Sequence, residues 1–250
     1  MATHRFYIAP EGCRAGLLHL TGGEAHHALR VLRVKAGDDA VVLDGAGNEF
    51  SCRVEIAAPG SVSLRVVGNN SVPAPACSVT LLVGIPRGKI IESIIQKSVE
   101  LGARRIVPLL TERVVTQLDG ESAGHKRDKW RQAAIEAIKQ CGAAWLPEIE
   151  KPTGIADVLA RREKSDLVLV GSLQSERRHP RDVFLEFEKT RGQPPKSVAV
   201  WIGPEGDFTL AEITAIQNAG AQPITLGRLT LRVETAAVYC LSILNYELGR

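Results

Sequence analysis

The chain is poor in aromatic residues, which make up 4% of it, and it contains a single Met. Aromatic platforms that stack single-stranded bases are therefore scarce. Five cysteines, Cys13, Cys52, Cys77, Cys141 and Cys240, are odd in number and form no C-x-x-C pair. That argues against a disulfide framework and against a thiolate zinc site, so each is expected to be a small buried thiol. The six histidines are scattered. His26 and His27 are adjacent, so on a helix they point about 100° apart and cannot act as an i, i+4 metal pair. No metal site is expected. No run approaches the roughly 18 apolar residues of a membrane span. The start "MATHRFYIAPEG" has no apolar core of the kind a signal peptide needs. A cytoplasmic protein without a membrane partner is expected. Charge of one sign is lacking too: the net +3 permits a nucleic-acid partner without demonstrating one.

What is present fits a globular protein. The 250 residues are 44% hydrophobic and 24% charged, enough for one large domain or two ordinary ones. Up to about Asn70 the chain reads as short strands, "RFYI" (5–8), "AVVLD" (40–44), "EFSCRVEIA" (49–57) and "SVSLRVVG" (61–68), separated by turn signals. One helix, "GEAHHALRVLR" (23–33), interrupts them, and a small closed or half-closed β-barrel accommodates such strands economically. "NNSVPAPACS" (69–78) is a connector by composition. Beyond it strands alternate with helices: 79–84, helix 87–102, 105–110, helices 126–141 and 154–162, 166–171, helix 181–190, 197–203, helix 209–219, 222–227 and a closing helix 235–248. That alternation predicts βα units and a mostly parallel sheet. The predicted domains are 1–72 and 73–250. "QLDGESAGHKRDK" (117–129) and "KTRGQPPK" (189–196) read as exposed loops. The closing helix is apolar nearly all round, which predicts burial within the domain or in a subunit interface.

Three strand ends stand out: "VLVGS" (168–172), "WIGPEG" (201–206) and "TLGRLTLRVETAA" (225–237). In an open α/β sheet ligands gather outside the carboxyl ends of the strands. Each of these ends carries Gly, which lets main chain approach a ligand closely. None carries the Gly-Lys-Ser/Thr of a phosphate-binding loop. A ligand held by main chain and apolar side chains suits an adenosine, with its polar edges and flat apolar face. Thr209 and Glu212 form a predicted capping box, so Gly203-Pro204-Glu205-Gly206 is a tight loop before the helix. Glu205 reads as a solvated turn residue, as an acceptor for loop amides or as a neighbour of a cationic ligand. Glu234 or Thr235 can serve the closing helix's N-terminus. Arg232 cannot, because a cation is misplaced there, and it is the better functional candidate.

"IGPEG" followed by "LG…LR-x-ETA" resembles the SPOUT superfamily of knotted methyltransferases, and within it the 16S ribosomal RNA uridine-N3 methyltransferase family. The resemblance spans nearly the whole chain and includes "HHALRVLRVKAGD" (26–38), "RGKIIESIIQKSVELG" (87–102), "ERV" (112–114) and "KQCG" (139–142). It implies a PUA-like β-barrel that docks RNA, an α/β domain with a trefoil knot, S-adenosyl-L-methionine in that knot, and a homodimer. It also implies methylation of N3 of one uridine in the small-subunit decoding region, position 1498 in the usual 16S numbering. This chain has Asp207 where the family usually has Gly, and Ala143 where it usually has Arg.

On that resemblance the cofactor residues are Val170, Gly171, Ser172, Ile202, Gly203, Pro204, Glu205, Gly206, Leu226, Gly227, Leu229, Leu231 and Thr235. Uridine N3 must lose a proton before it is a good nucleophile. Arg232, stabilising the developing anion, and Glu234, taking the proton, are the catalytic candidates. On an α-helix His26, Arg30 and Arg33 stand at i, i+4 and i+7, which by itself reads as a solvated face. With the resemblance they become candidates for ribosomal RNA contact, together with Arg5, Arg87 and Lys89. Two other functions fit the same residues: a knotted methyltransferase for another ribosomal or transfer RNA site, and a non-catalytic RNA-binding assembly protein.

Overall fold

The computed structural model describes residues 4–14, 16–113, 120–173 and 176–249. The chain divides into two compact units, Met1–Ala74 with Ile135–Leu146, and Pro75–Ala134 with Pro147–Arg250. The first unit thus takes a segment from just beyond the middle of the chain.

The first unit is built on a five-stranded sheet of β1 (His4–Tyr7), β2 (Leu17–Thr21), β3 (Asp39–Leu43), β4 (Asn48–Ala58) and β5 (Ser61–Ser71), ordered β1-β3-β4-β5-β2. β1 and β3 are parallel and the other pairs antiparallel. Alternation decides which face is inward: Phe50, Cys52 and Val54 of β4 and Val62 and Leu64 of β5 are buried at spacings of two. Phe6 of β1 and Leu18 and Leu20 of β2, from opposite ends of the sheet, share that one core, so the sheet curls into a half-barrel. β2 was absent from the sequence expectation. Its period-2 signal is only "LLHLT", flanked by glycines.

Two further expectations need correction here. The single helix at 23–33 is an α-helix α1 (Gly22–His26) that continues as a π-helix (His27–Leu32). Arg33 then leaves it in the left-handed region at φ 55°. A π-helix bonds i to i+5, so His26, Arg30 and Arg33 do not form the straight stripe that α-helical spacing predicts. Nor are all the thiols buried: Cys52, Cys77 and Cys240 are, but Cys13 is half-buried and Cys141 exposed. Burial raises the thiol pKa of Cys13 and of Cys52 to about 11.

Residues 135–146 complete the unit by close packing. Trp145 Nε1 donates to the carbonyls of Val72 and Pro73, at 3.1 and 3.2 Å. A Cβ on Gly47 would lie 2.5 Å from the Trp145 ring, and one on Gly45 would lie 2.8 Å from Leu146 Cβ. Lys139, 8% exposed, bonds Glu24 at 2.7 Å and Glu136 at 2.8 Å. Burial pulls its pKa down, but the hydrogen bonds that it donates to Glu136 and Glu24 outweigh it, and the net shift is upward.

The second unit holds a seven-stranded parallel sheet of β6 (Ser78–Gly84), β7 (Arg105–Leu110), β8 (Glu148–Ile149), β9 (Thr153–Gly154), β10 (Leu167–Gly171), β11 (Ser197–Ile202) and β12 (Gln222–Ile224). Its path is β12-β10-β11-β6-β7-β8, with β9 also on β7. β6 and β11 are almost continuous apolar runs, as strands covered on both faces must be. α2 (Ile90–Glu100) buries Ile91, Ile94, Ile95, Ser98 and Val99, a single helical stripe, and packs on α7 (Val233–Leu248). α7 itself buries only Val233, Ala237, Cys240, Leu241 and Leu244; Tyr239 and Tyr246 are exposed. Its apolar composition therefore overstates its burial within the unit.

The predicted loop at 117–129 is also corrected. α3 (Gly120–Cys141) is helical from Gly120 onward, with Lys129 bonded to Glu92 at 2.6 Å; residues 117–119 lie outside the described residues. α4 (Ile155–Ala160), α5 (Pro180–Arg191) and α6 (Leu210–Asn218) supply the remaining helices. The Thr209–Glu212 capping box is present, and it starts α6 at Leu210.

Replacing Lys139 with Met should cost the first unit about 2–4 kcal/mol, because Glu24 is left without its buried partner. Hydrogen exchange of the β3–β5 amides in urea would measure it. A raised lysine pKa means that this stability is complete below the ordinary lysine pKa and is lost as pH rises through the folded-state value. On the alkaline side the gap between wild type and variant should accordingly persist until strongly alkaline pH.

Candidate functional site

β12, β10 and β11 are neighbours and parallel, so their carboxyl ends open on one edge of the sheet. β10 does end in Gly, at Gly171, but β11 ends at Ile202, one residue before Gly203, and β12 at Ile224, three before Gly227. Ser172 N continues the ladder to Ile224 O at 3.1 Å. Arg177 Nη1 donates to Ser172 O at 3.1 Å, holding the end of β10.

The loop after β11 is a tight turn, with Asp207 N bonded to Pro204 O at 2.9 Å. Asp207 stands at φ 59° and its Oδ1 accepts from Phe208 N at 2.8 Å. Glu205 is an acceptor for a loop amide: its Oε1 takes Arg87 N–H at 2.9 Å, tying this loop to the one after β6. Buried Glu212 takes Thr209 N–H and Glu112 N–H, both at 2.8 Å, and so ties in the loop after β7. Arg113 donates to Gly206 O. The third loop turns on Gly227, at φ 111°, and reaches α7 through Arg232, which occupies the N-cap position with no side-chain cap. Neither Thr235 nor Glu234 caps α7; Glu234 lies in its first turn.

The glycines also serve the protein's own packing. A Cβ on Gly203 would lie 2.8 Å from Asp207 Oδ1, and one on Gly171 would lie 3.1 Å from Ile202 Cδ1. Gly227 has open space around a Cβ but holds a left-handed φ. Packing is tight at Gly171 and Gly203, and turn geometry favours glycine at 227.

Together the three loops enclose a cavity of about 380 Å³, within the usual range of roughly 300–1,000 Å³ for ligand sites. Of the expected cofactor residues, Gly171, Ser172, Ile202, Gly203, Pro204, Glu205, Leu226, Gly227, Leu229 and Leu231 line it, and so does Arg232. Val170 does not, because it is fully buried in the core. Gly206, Glu234 and Thr235 also lie outside the lining. Sequence reasoning passed over Leu173, Arg177, Thr230, Val233 and Ala236, which line the cavity with Asp207. Arg177 carried no signal inside the charged run "SERRHP". Leu229 is 79% exposed and Leu173 53% exposed, an apolar surface available to a flat ligand.

The candidate RNA residues are dispersed. His26, Arg30 and Arg33 are exposed on the helix of the first unit. Arg5 is occupied, since its Nη1 donates to the carbonyls of Lys139 and Gln140 at the end of α3, where the helix dipole favours a cation. Arg87 and Lys89 are exposed between β6 and α2.

Residues 73–245 match the RNA methyltransferase domain family, and residues 20–67 match the RNA methyltransferase PUA domain. The chain belongs to this RNA methyltransferase family. A relative in Synechocystis, named ribosomal RNA small subunit methyltransferase E, is 32% identical over 247 residues, covering 97% of this chain and 77% of its own. The Bacillus subtilis protein of the same name is 30% identical, covering 91% of this chain and 89% of its own. Among solved structures, a Legionella pneumophila protein with bound SAM has TM-score 0.88 at 32% identity, covering 99% of this chain and 98% of its own. The ribosomal RNA small subunit methyltransferase E of Neisseria gonorrhoeae, bound to S-adenosyl methionine, has TM-score 0.87 at 26% identity, with 98% of each chain covered. The loop after β11, which helps to bound the cavity, is also tied to the loops after β6 and β7.

One position tests that tie from outside the cavity lining. A Cβ on Gly84, at the end of β6, would lie 2.6 Å from Pro204 N and Cδ. Gly84→Ala should therefore displace the Pro204 turn, cost about 1–3 kcal/mol by overpacking, and speed hydrogen exchange at the Arg87 amide that Glu205 protects. Unchanged stability and exchange would contradict the tight approach.

Proposed function

We propose that this protein methylates N3 of a uridine in 16S ribosomal RNA, with S-adenosylmethionine as donor and the assembled small ribosomal subunit as substrate. The observation that carries the reading is the cavity at the ends of β10, β11 and β12, with apolar walls and Arg232 at its rim. Membership of the RNA methyltransferase family and the SAM-bound relatives support it. The reading brings with it a SPOUT-type trefoil knot in the second unit, a cytoplasmic location and a homodimer. For the dimer, Tyr239 and Tyr246 leave a face of α7 for a second copy, and two-fold dimers are the commonest oligomer.

The residues present fit this cofactor. Ile202, Leu226 and Leu229 offer apolar surface to an adenine ring, and the strand ends at Gly171 and Gly203 bring main-chain donors and acceptors to its edges. S-adenosylmethionine supplies a methyl group already activated on a sulfonium, so no metal is needed. The protein's work lies at the nucleophile. Uridine N3 reacts once its proton is gone, and the charge then spreads to the neighbouring carbonyl oxygens. Arg232, a cation held at a helix N-cap where the dipole opposes it, is available to stabilise that charge. Glu234, two residues on in the first turn of α7, is the proton acceptor of this reading. Arg30, Arg33 and His26 on the first unit, with Arg87 and Lys89 on the second, contact phosphates.

The test is mass spectrometry of ribosomal RNA from cells lacking the protein, which should show one unmethylated uridine in the small subunit. Arg232→Ala should fail to restore it, with methyl transfer down about two orders of magnitude while S-adenosylmethionine and particle binding persist. Methylation that is unchanged without the protein would overturn the substrate assignment.

Replacing Arg30 and Arg33 together should weaken particle binding and lower its salt slope by about one log unit for each phosphate no longer neutralised. Affinity for S-adenosylmethionine, measured by calorimetry, should not move.

A further inference from the structure

We infer that Asp207 makes the cavity prefer a ligand with a positive charge at sulfur, so that the methyl donor is held more tightly than the demethylated product. This inference rests on the cofactor reading above. Among the described residues, four ionisable side chains line the cavity: Arg177, Arg232, Glu205 and Asp207. Arg177 Nη1 bonds Ser172 O and Glu205 Oε1 bonds Arg87 N, while Arg232 stands at the N-cap of α7 with no side-chain cap bond. Asp207 engages one oxygen, Oδ1, with Phe208 N. It also holds a left-handed backbone, φ 59°, where Gly would be unstrained. The local bond to Phe208 N lets Asp take that conformation, and Asp there adds a carboxylate to the wall that Gly would not supply.

The formal charges on the wall are two positive and two negative, and removing Asp207 leaves the wall cationic. S-adenosylmethionine carries an ammonium, a carboxylate and a sulfonium, a net single positive charge. When the methyl group moves to uridine N3, both electrons of its carbon–sulfur bond stay on sulfur and the N3 proton departs. Sulfur is then a neutral thioether and S-adenosylhomocysteine has no net charge. A cavity of about 380 Å³ keeps bound ligand atoms within about one Debye length, roughly 8 Å, of a wall charge. The carboxylate of Asp207 therefore acts on the difference between donor and product. The shared parts of the two ligands cannot tell them apart.

Calorimetry on the full chain decides it, with three ligands: S-adenosylmethionine, S-adenosylhomocysteine and an analogue bearing an ammonium in place of the sulfonium. Asp207→Asn keeps an acceptor for Phe208 N–H and tolerates the left-handed backbone. It should bind S-adenosylmethionine and the ammonium analogue about tenfold more weakly, with S-adenosylhomocysteine within about twofold of wild type. Asp207→Gly, unstrained and uncharged, should match it. Equal losses for all three ligands would mean that the carboxylate meets the common amino-acid ammonium, which overturns the inference. So would a Gly variant that keeps the wild-type ratio of donor to product affinity. Wild-type protein that binds neither natural ligand overturns the cofactor reading, and this inference with it.

Discussion

At the carboxyl edge of a parallel sheet, backbone amides run out of strand partners, and here carboxylates take over from the neighbouring strands. Glu205 accepts from Arg87, and Glu212 accepts from both Thr209 and Glu112. Through these bonds the loops after β6, β7 and β11 become one cross-tied layer over the sheet. A buried carboxylate that accepts two amides satisfies them and is itself satisfied. The glutamate of Gly-Pro-Glu-Gly is thus a structural acceptor as well as a residue of the cavity lining.

Close packing imposes the second constraint. Gly84 must lack a Cβ because the ring of Pro204 lies against it, and Gly203 because the Asp207 carboxylate folds back over it. These glycines belong to the protein's own packing, and the cavity forms where that packing leaves off. Asp207 is the exception in this layer, since it lines the cavity while its backbone holds a glycine-like conformation.

The first unit depends on a different interaction. Its half-barrel is finished by residues 135–146, which bring Trp145 onto the Gly47 turn and Lys139 between Glu24 and Glu136. Those partners stand more than a hundred residues apart in the chain for Lys139 and Glu24. The π-helical segment beside them widens the turn that presents Arg30, with Arg33 following in the left-handed region.

Local patterns in the sequence were enough to determine much of this protein. The β-rich start, the alternating strands and helices beyond the connector, the capping box at Thr209 and the three strand ends are each written in a few adjacent residues. Spacing and propensity act over that range, so they are legible there. Other features were decided only by the tertiary structure. The return of 135–146 to the first unit, the amide that Glu205 accepts and the exclusion of Val170 from the cavity depend on partners remote in sequence. The π-helix found in place of an expected α-helix buries Ala28 in the half-barrel core and packs Leu29 and Leu32 against it. Arg177 entered the site because the end of β10 offers it a carbonyl. Side-chain partners of this kind are set by which strands lie side by side, and strand order is a property of the folded chain.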